Sequence, residues 1–453
     1  MSDLTQRSAS ELAVMIGRRE VSATEVMAAH LAAIRERNAA LNAIVSMAEP
    51  EELMAAAQAA DAAEPVGPLH GLPLAVKDLS HAAGFPTSMG SPIHAGEVAE
   101  VDDLHVARLR RAGAIVVGKT NVPEFGLGSQ SYNPVFGRTG LPGDPGLTAG
   151  GSSGGAAAAL AARLVPLADG SDMMGSLRNP AGWCGIWSLR PTWGLVPGDG
   201  EGDLFLHPLS TVGPMGRVPA DVELMLSVMA GPDARHPFPA PAYRPLPEDS
   251  PLPHRIGWLG DWGGALPMEE GVLRACEYQL ARLAEAGAEV APVAPPLPAE
   301  ALWEAWTTLR SLAVAGSLGP YLDAPERRDR LKPAAIWEVE RGRALGASQI
   351  LRASALRSDW FRAASALFEQ HDMLALPTAQ CFPYTIGTDW PGEIAGRAMD
   401  SYHRWMEVTV AAALIGLPVL TMPIRGRRMG LQLIGPKGSD ARLLAYAKAV
   451  EAR

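Results

Sequence analysis

Two glycine-framed serine clusters are the segments of this chain best suited to covalent chemistry. The first is Ala149-Gly-Gly-Ser152-Ser153-Gly-Gly155, at the head of an alanine-rich stretch that continues to Arg163. The second is Gly170-Ser-Asp172-Met173-Met174-Gly175-Ser176-Leu-Arg178-Asn-Pro180. A serine hydroxyl is a weak nucleophile until a base takes its proton. Acyl chemistry also needs backbone N–H groups gathered where an oxyanion forms. Glycine lets the backbone approach another group closely, and a helix N-terminus leaves amides unpaired, so both clusters suit such a site. The plain alternative for each serine taken singly is a helix cap. The residues by themselves leave both readings open.

Two further patterns match a motif without its setting. Gly113-Ala-Ile-Val-Val-Gly118-Lys119-Thr120 satisfies the P-loop spelling. Its Ala-Ile-Val-Val interior reads as a strand, however, and strand backbone cannot wrap a phosphate. Gly150-Gly-Ser152-Ser-Gly154 satisfies the nucleophile-elbow spelling, which needs a strand directly before the serine and an acid and a histidine after it. Residues 142–149 read as a loop. No pair of the 10 histidines has metal-ligand spacing, so neither a metal nor a cofactor is expected.

The elements that must position these serines follow from periodicity. The first 65 residues read as helices, with a capping box at Ser22-Ala-Thr-Glu25, an apolar stripe Val26, Ala29, Leu31 and Ile34, and a second helix over 51–63. From Gly71 the texture alternates: strands over 72–76 and 114–117 flank a helix over 103–112 closed by Gly113. Residues 132–155 read as loop. The Pro- and Gly-rich run 231–253 is a linker or an excursion within one fold. Later helices are expected over 269–286, 348–369 and 399–414, and strands over 373–376, 419–422 and 431–434. This β–α–β rhythm predicts an α/β fold whose sheet is covered by helices on both faces.

Composition bounds the rest. In 453 residues, 47% are hydrophobic and 19% charged, which supplies a large core and excludes a disordered chain. The net charge of −10, with Arg425, Arg427 and Arg428 as the nearest thing to a basic run, argues against nucleic acid. The 3 scattered cysteines suit a reducing compartment. No apolar stretch reaches the ~18 residues of a membrane span, so no membrane is expected and a cytoplasmic location is the default.

Taken together, the motifs resemble the amidase signature family. Gly67-Pro-Leu-His-Gly-Leu-Pro-Leu-Ala-Val-Lys77-Asp78 is similar to the family's lysine strand. Gly118-Lys-Thr-Asn-Val-Pro-Glu-Phe125, the Gly-Gly-Ser-Ser-Gly-Gly box and the Gly170–Pro180 segment follow in the family order. Asp372-Met-Leu-Ala-Leu-Pro-Thr378, Gly416-Leu-Pro-Val419 and Met429-Gly-Leu-Gln-Leu-Ile-Gly-Pro436 agree at the C-terminal end. The resemblance implies one domain over 1–453 built on a large mixed β-sheet. Its parts would be an N-terminal helical segment (1–65), a signature core (66–200), a variable substrate-pocket region (200–365) and a return to the core (366–453).

What it implies chemically is hydrolysis of a carboxamide C–N bond, to acid and ammonia or amine. Lys77 would be the base, Ser152 the relay, held in the family on a cis peptide, and Ser176 the acyl nucleophile. The backbone N–H groups of Met173, Met174, Gly175 and Ser176 would form the oxyanion hole. Ser153, Asp172 and Arg178 would support the loop. For Lys77 to serve as a base at neutral pH, burial must lower its pKa by ~3 units. Asp78 should turn to the other face of the strand. Most relatives have two glycines before the nucleophile, whereas this chain has Met174-Gly175. Met174 is either strained at positive φ or trims the acyl pocket, and the second is favoured. Trp303, Trp306, Trp337 and Trp405 fall where relatives build pocket walls, giving a mild preference for an aromatic or apolar acyl group. The expected partner is a small amide. The alternatives are a ureide or biuret-type hydrolase, a silent scaffold, and the A-type subunit of a glutamine amidotransferase. Pairing as a homodimer is family analogy.

Overall fold

Eleven short strands pair into one sheet. They are β1 (Ile44–Met47), β2 (Pro73–Lys77), β3 (Ile115–Thr120), β4 (Leu167–Asp172), β5 (Trp187–Arg190), β6 (Thr211–Gly216), β7 (Arg255–Trp258), β8 (Glu289–Pro292), β9 (Met373–Pro377), β10 (Val419–Ile424) and β11 (Met429–Ile434). In this computed structural model residues 3–198, 203–205, 209–238, 241–247 and 249–452 are described. The spatial order is β1-β3-β2-β4-β6-β5-β10-β11-β9-β7-β8. Strand β2 runs parallel to β3 and β4, and β7 runs parallel to β8 and β9, while the pairs between β4 and β9 are antiparallel. The sheet is therefore mixed, and the fold is of the α/β class.

Alternation along the strands buries both faces. Leu74 and Val76 enter one core with Leu109, Met225, Leu226 and Leu433. Ala75, between them, faces a second core with Val117, Ala168 and the helix Gly154–Ala161. That helix is Gly-Gly-Ala-Ala-Ala-Ala-Leu-Ala, buried over residues 154–160, and its small side chains let its backbone lie close to the sheet. At Gly155 a Cβ would stand 2.3 Å from the Asn121 amide nitrogen, so only glycine fits there. A third core, under β9 to β11, is filled by Trp183, Trp306, Trp360 and Trp405. The long helices Ala299–Asp323 and Ala347–Gln370 pack on that side.

Several expectations are corrected. Residues 44–47 form a strand within the segment read as helical, pairing antiparallel with β3. Asp144–Thr148 is also a strand, in a two-stranded hairpin outside the main sheet, where a loop was expected. The run 399–414 is not one helix: it becomes helical only at Arg404–Thr409, a 3-10 turn, followed by Val410–Leu414. The helix over 269–286 is observed as Val272–Glu285. Parts of the 231–253 run lie outside the described residues. The P-loop spelling falls on β3, with Lys119 in strand conformation. No described helix is long and apolar enough to cross a membrane.

Candidate active site

Because β2 and β4 are parallel, Lys77 at the end of β2 and the segment after Asp172 at the end of β4 emerge on the same edge of the sheet. Open α/β sheets bind ligands at the carboxyl ends of their parallel strands. The ladder between β2 and β4 pairs Leu74 with Leu167 and Ala75 with Ala168. Beyond it, the Asp169 carboxylate takes over and accepts from the Lys77 N–H at 2.7 Å. The other Asp169 oxygen meets His105 Nε2 at 3.0 Å. The base of the lysine is thereby fixed by a side chain rather than by the sheet alone.

Lys77 Nζ lies 2.8 Å from Ser152 Oγ, 2.8 Å from Ser153 Oγ and 2.9 Å from Ser171 Oγ, and donates to the Ser171 carbonyl at 3.2 Å. The side chain is fully buried, and that desolvation lowers its pKa from 10.5 to about 7, against the opposing pull of Asp169 and Asp172. A fall of that size corresponds to about 5 kcal/mol against the ammonium form. Asp78 does turn away: it accepts from Ser88 Oγ at 2.5 Å and faces Lys119 at 3.6 Å. The peptide between Gly151 and Ser152 is cis.

Ser176 stands on a loop whose shape is set by one carboxylate. Asp172 accepts from the N–H of Gly175 at 2.8 Å and of Leu177 at 3.1 Å. It also takes a bidentate pair from Arg178, Nε at 2.9 Å and Nη2 at 2.8 Å. Arg178 Nη1 continues to the Thr409 carbonyl at 2.8 Å and Gln432 Oε1 at 2.6 Å, tying the loop to β11. Burial alone would raise the Asp172 pKa, but Arg178, and Arg190 behind it, hold it down to about 2. The Ser176 carbonyl accepts from the Ser153 N–H at 3.3 Å, which couples the two serine segments.

The amides of Met173, Met174 and Ser176 have no partner among the described residues. Gly175 corrects the expectation of four oxyanion donors, because its N–H is committed to Asp172. Gly175, at φ 84°, takes the left-handed conformation, and a Cβ there would meet Thr409 Cγ2 at 2.7 Å. Met174 is not among the residues at positive φ, so it is not strained. It is buried instead in the wall of the cavity that Ser176 faces.

That cavity, about 600 Å³, has in its walls Ser152, Ser171 and Ser176, the apolar groups Leu79, Met89, Phe125, Met173, Met174 and Val314, and the polar groups Asp203, Arg310, Tyr402 and His403. Tryptophans were expected in its walls, but none lines it. Trp183 stacks on Trp405 at 5.8 Å in the core, and Trp306 stands behind the Arg310 guanidinium at 5.1 Å. Among the described residues no cluster of three His, Cys, Asp or Glu is placed to hold a metal ion. The elbow reading fails because the partner of Ser152 is a lysine. Sequence reasoning did not single out Ser171, Asp169, His105 or Arg310. Ser171 lies in the Gly170–Pro180 segment already quoted, and Asp169 directly precedes it.

A buried lysine within hydrogen-bond reach of serine hydroxyls is an arrangement that can supply a base to a serine without a histidine. The chain belongs to the amidase family, whose model matches residues 25–444. It is 36% identical to the A subunit of the Thermus thermophilus glutamyl-tRNA(Gln) amidotransferase, over 98% of this chain and 96% of that one. It is 32% identical to an acylamidase of Rhodococcus erythropolis, over 98% and 95% of the two chains. The crystal structure of a bacterial aryl acylamidase of the amidase signature family superposes with a TM-score of 0.90 at 26% identity, covering 98% of this chain and 96% of that one. The protein is thus an amidase-family enzyme, whose chemistry is cleavage of amide C–N bonds.

Proposed function

We propose that the protein hydrolyses small apolar carboxamides through a Ser176 acyl-enzyme, with Ser152 as relay and Lys77 as base. The observation that carries this reading is the fully buried Lys77 amine, 2.8 Å from the Oγ of Ser152, which lines the same cavity as Ser176. A neutral lysine has a lone pair to offer, and a base near pKa 7 is matched to neutral pH. Lys77 takes the Ser152 proton as Ser152 takes that of Ser176, and the Ser176 oxygen attacks the carbonyl carbon. The amides of Met173, Met174 and Ser176 face the developing oxyanion. The relay returns the proton to the leaving amine, and water then releases the acid. Ser153 and Ser171 hold the Lys77 amine in place, and Asp172 and Arg178 hold the loop.

The apolar lining supports an arylalkyl or alkyl acyl group over a charged one. Transfer of glutamine nitrogen to a partner enzyme is the second reading, favoured by the 36% identity to the A subunit of an amidotransferase. A panel of aliphatic, arylalkyl and amino-acid amides, assayed by ammonia release, separates the two. Arylalkyl amides are expected to turn over best, with Met174→Gly accepting bulkier acyl groups than the wild type. Turnover of glutamine alone, and only with an added partner, would refute the apolar-amide reading.

A further inference from the structure

Among the described residues that line the Ser176 cavity, Arg310 is a buried cation that the hydrolysis above does not use. Its Nε donates to Glu338 Oε1 at 2.8 Å and its Nη2 to the Tyr402 hydroxyl at 2.7 Å. The Tyr402 hydroxyl in turn donates to Glu338 Oε2 at 2.8 Å, so the three groups close a ring. His403 Nε2 lies 3.5 Å from Glu338 Oε1, and burial lowers the pKa of its imidazole. Arg310 Nη1 meets the Met173 sulfur at 3.0 Å. A guanidinium carries five N–H groups, and a thioether is a weak acceptor. Two N–H groups therefore lack any acceptor among the described residues, and a third has only sulfur. Buried donors in this condition are costly unless water or a ligand in the cavity completes them, and a ligand that displaces the water must replace its hydrogen bonds.

We propose that Arg310 is a specificity-determining residue, binding an uncharged hydrogen-bond acceptor, a carbonyl oxygen above all, on an otherwise apolar amide. The inference rests on reading this cavity as the amide site. The acceptor is uncharged because Glu338 already neutralises the guanidinium. A carboxylate on the ligand would place two anions on one cation away from water. The site cannot be satisfied by a hydrocarbon, which leaves the free donors unpaired. A site built around hydrogen-bond donors rejects ligands that lack the acceptor far more strongly than a plain apolar pocket does.

The test uses three matched amides: 4-phenylbutanamide, 4-oxo-4-phenylbutanamide and 4-(4-carboxyphenyl)butanamide. Their dissociation constants are measured by calorimetry on Ser176→Ala, which separates binding from turnover. The oxo amide is expected to bind roughly tenfold or more tighter than 4-phenylbutanamide, and the carboxylate no tighter. Arg310→Met alone would strand the Glu338 charge and threaten folding, so it is paired with Glu338→Gln. The paired variant should keep 4-phenylbutanamide binding and lose the preference for the oxo amide. Equal affinities, preference for the carboxylate, a preference that survives the paired variant, or no binding at all would each overturn the proposal. Ammonia release by the wild type is read on the same compounds. Hydrolysis without oxo preference would sink the role of Arg310 and leave the amidase reading standing. Tight oxo binding without hydrolysis would do the reverse.

Discussion

Replacing Lys77 with methionine should lower kcat by at least about a thousandfold while leaving the protein folded and no less thermostable than the wild type. The two halves of that result have one cause. Lys77 is buried without a carboxylate on its amine, and that desolvation is what brings its pKa to about 7. Methionine fills the same space without the desolvation cost, so stability is retained as the base is lost. The pH dependence follows with a definite sign. The ammonium has no lone pair, so activity belongs to the neutral form, and kcat/KM of the wild type should climb as pH rises through about 7 and then level off. Between that value and 10.5 the unfolded chain holds a proton that the native one does not, so this residue's destabilising contribution shrinks as pH rises across the window. Lys77→Arg should be as inactive as Lys77→Met, because a guanidinium is never neutral in this range. A variant that keeps activity, or a rate that falls across pH 7, would remove Lys77 as the base.

Asp172→Ala should be the most destabilising single change at the site, costing about 3–5 kcal/mol by urea denaturation. The carboxylate is the common partner of Arg178 and of the Gly175 and Leu177 amides, with Arg190 Nε at 3.6 Å. Its removal strands a buried guanidinium and frees the loop that aims Ser176. Catalysis should fall with stability, and activity should stay low at temperatures where the variant is still folded. The same carboxylate gives an acid limit. Its native pKa of about 2 lies below the ordinary 3.8, so its stabilising contribution is complete above the ordinary value and is lost as pH falls toward 2. Unchanged stability in Asp172→Ala would show that the Thr409 carbonyl and Gln432 satisfy Arg178 without the carboxylate.

Much of this was legible because the informative features are local. Glycine-framed serines, an apolar strand ending in lysine and the Asp172–Arg178 spacing are written in continuous segments, and the structure brings those segments to one edge of the sheet. Strands β2, β3 and β9 to β11 followed from short apolar runs bounded by turns. What escaped depends on residues distant in sequence. Asp169 touches the Lys77 backbone across a gap of 92 residues, and Arg310 reaches Met173 across 137. The tryptophans misled because a large apolar ring has the same sequence signature in a core as in a pocket wall. The strand Ile44–Met47 is four residues long beside a long helix, too short for a period to show. Met174 was the departure that sequence could pose but not resolve. Its fate turned on a backbone angle, which places it in the cavity wall without strain.

The central claim is that acyl chemistry occurs on Ser176. It is tested most directly by mass spectrometry after reaction with phenylmethylsulfonyl fluoride. Tryptic cleavage after Arg163 and Arg178 separates Ser176 from Ser152, which falls in the preceding peptide. A single adduct on the peptide 164–178, absent in Ser176→Ala and much slowed in Lys77→Met, is the expected result. An adduct on the Ser152 peptide, or none in an enzyme that turns over amides, would contradict the account.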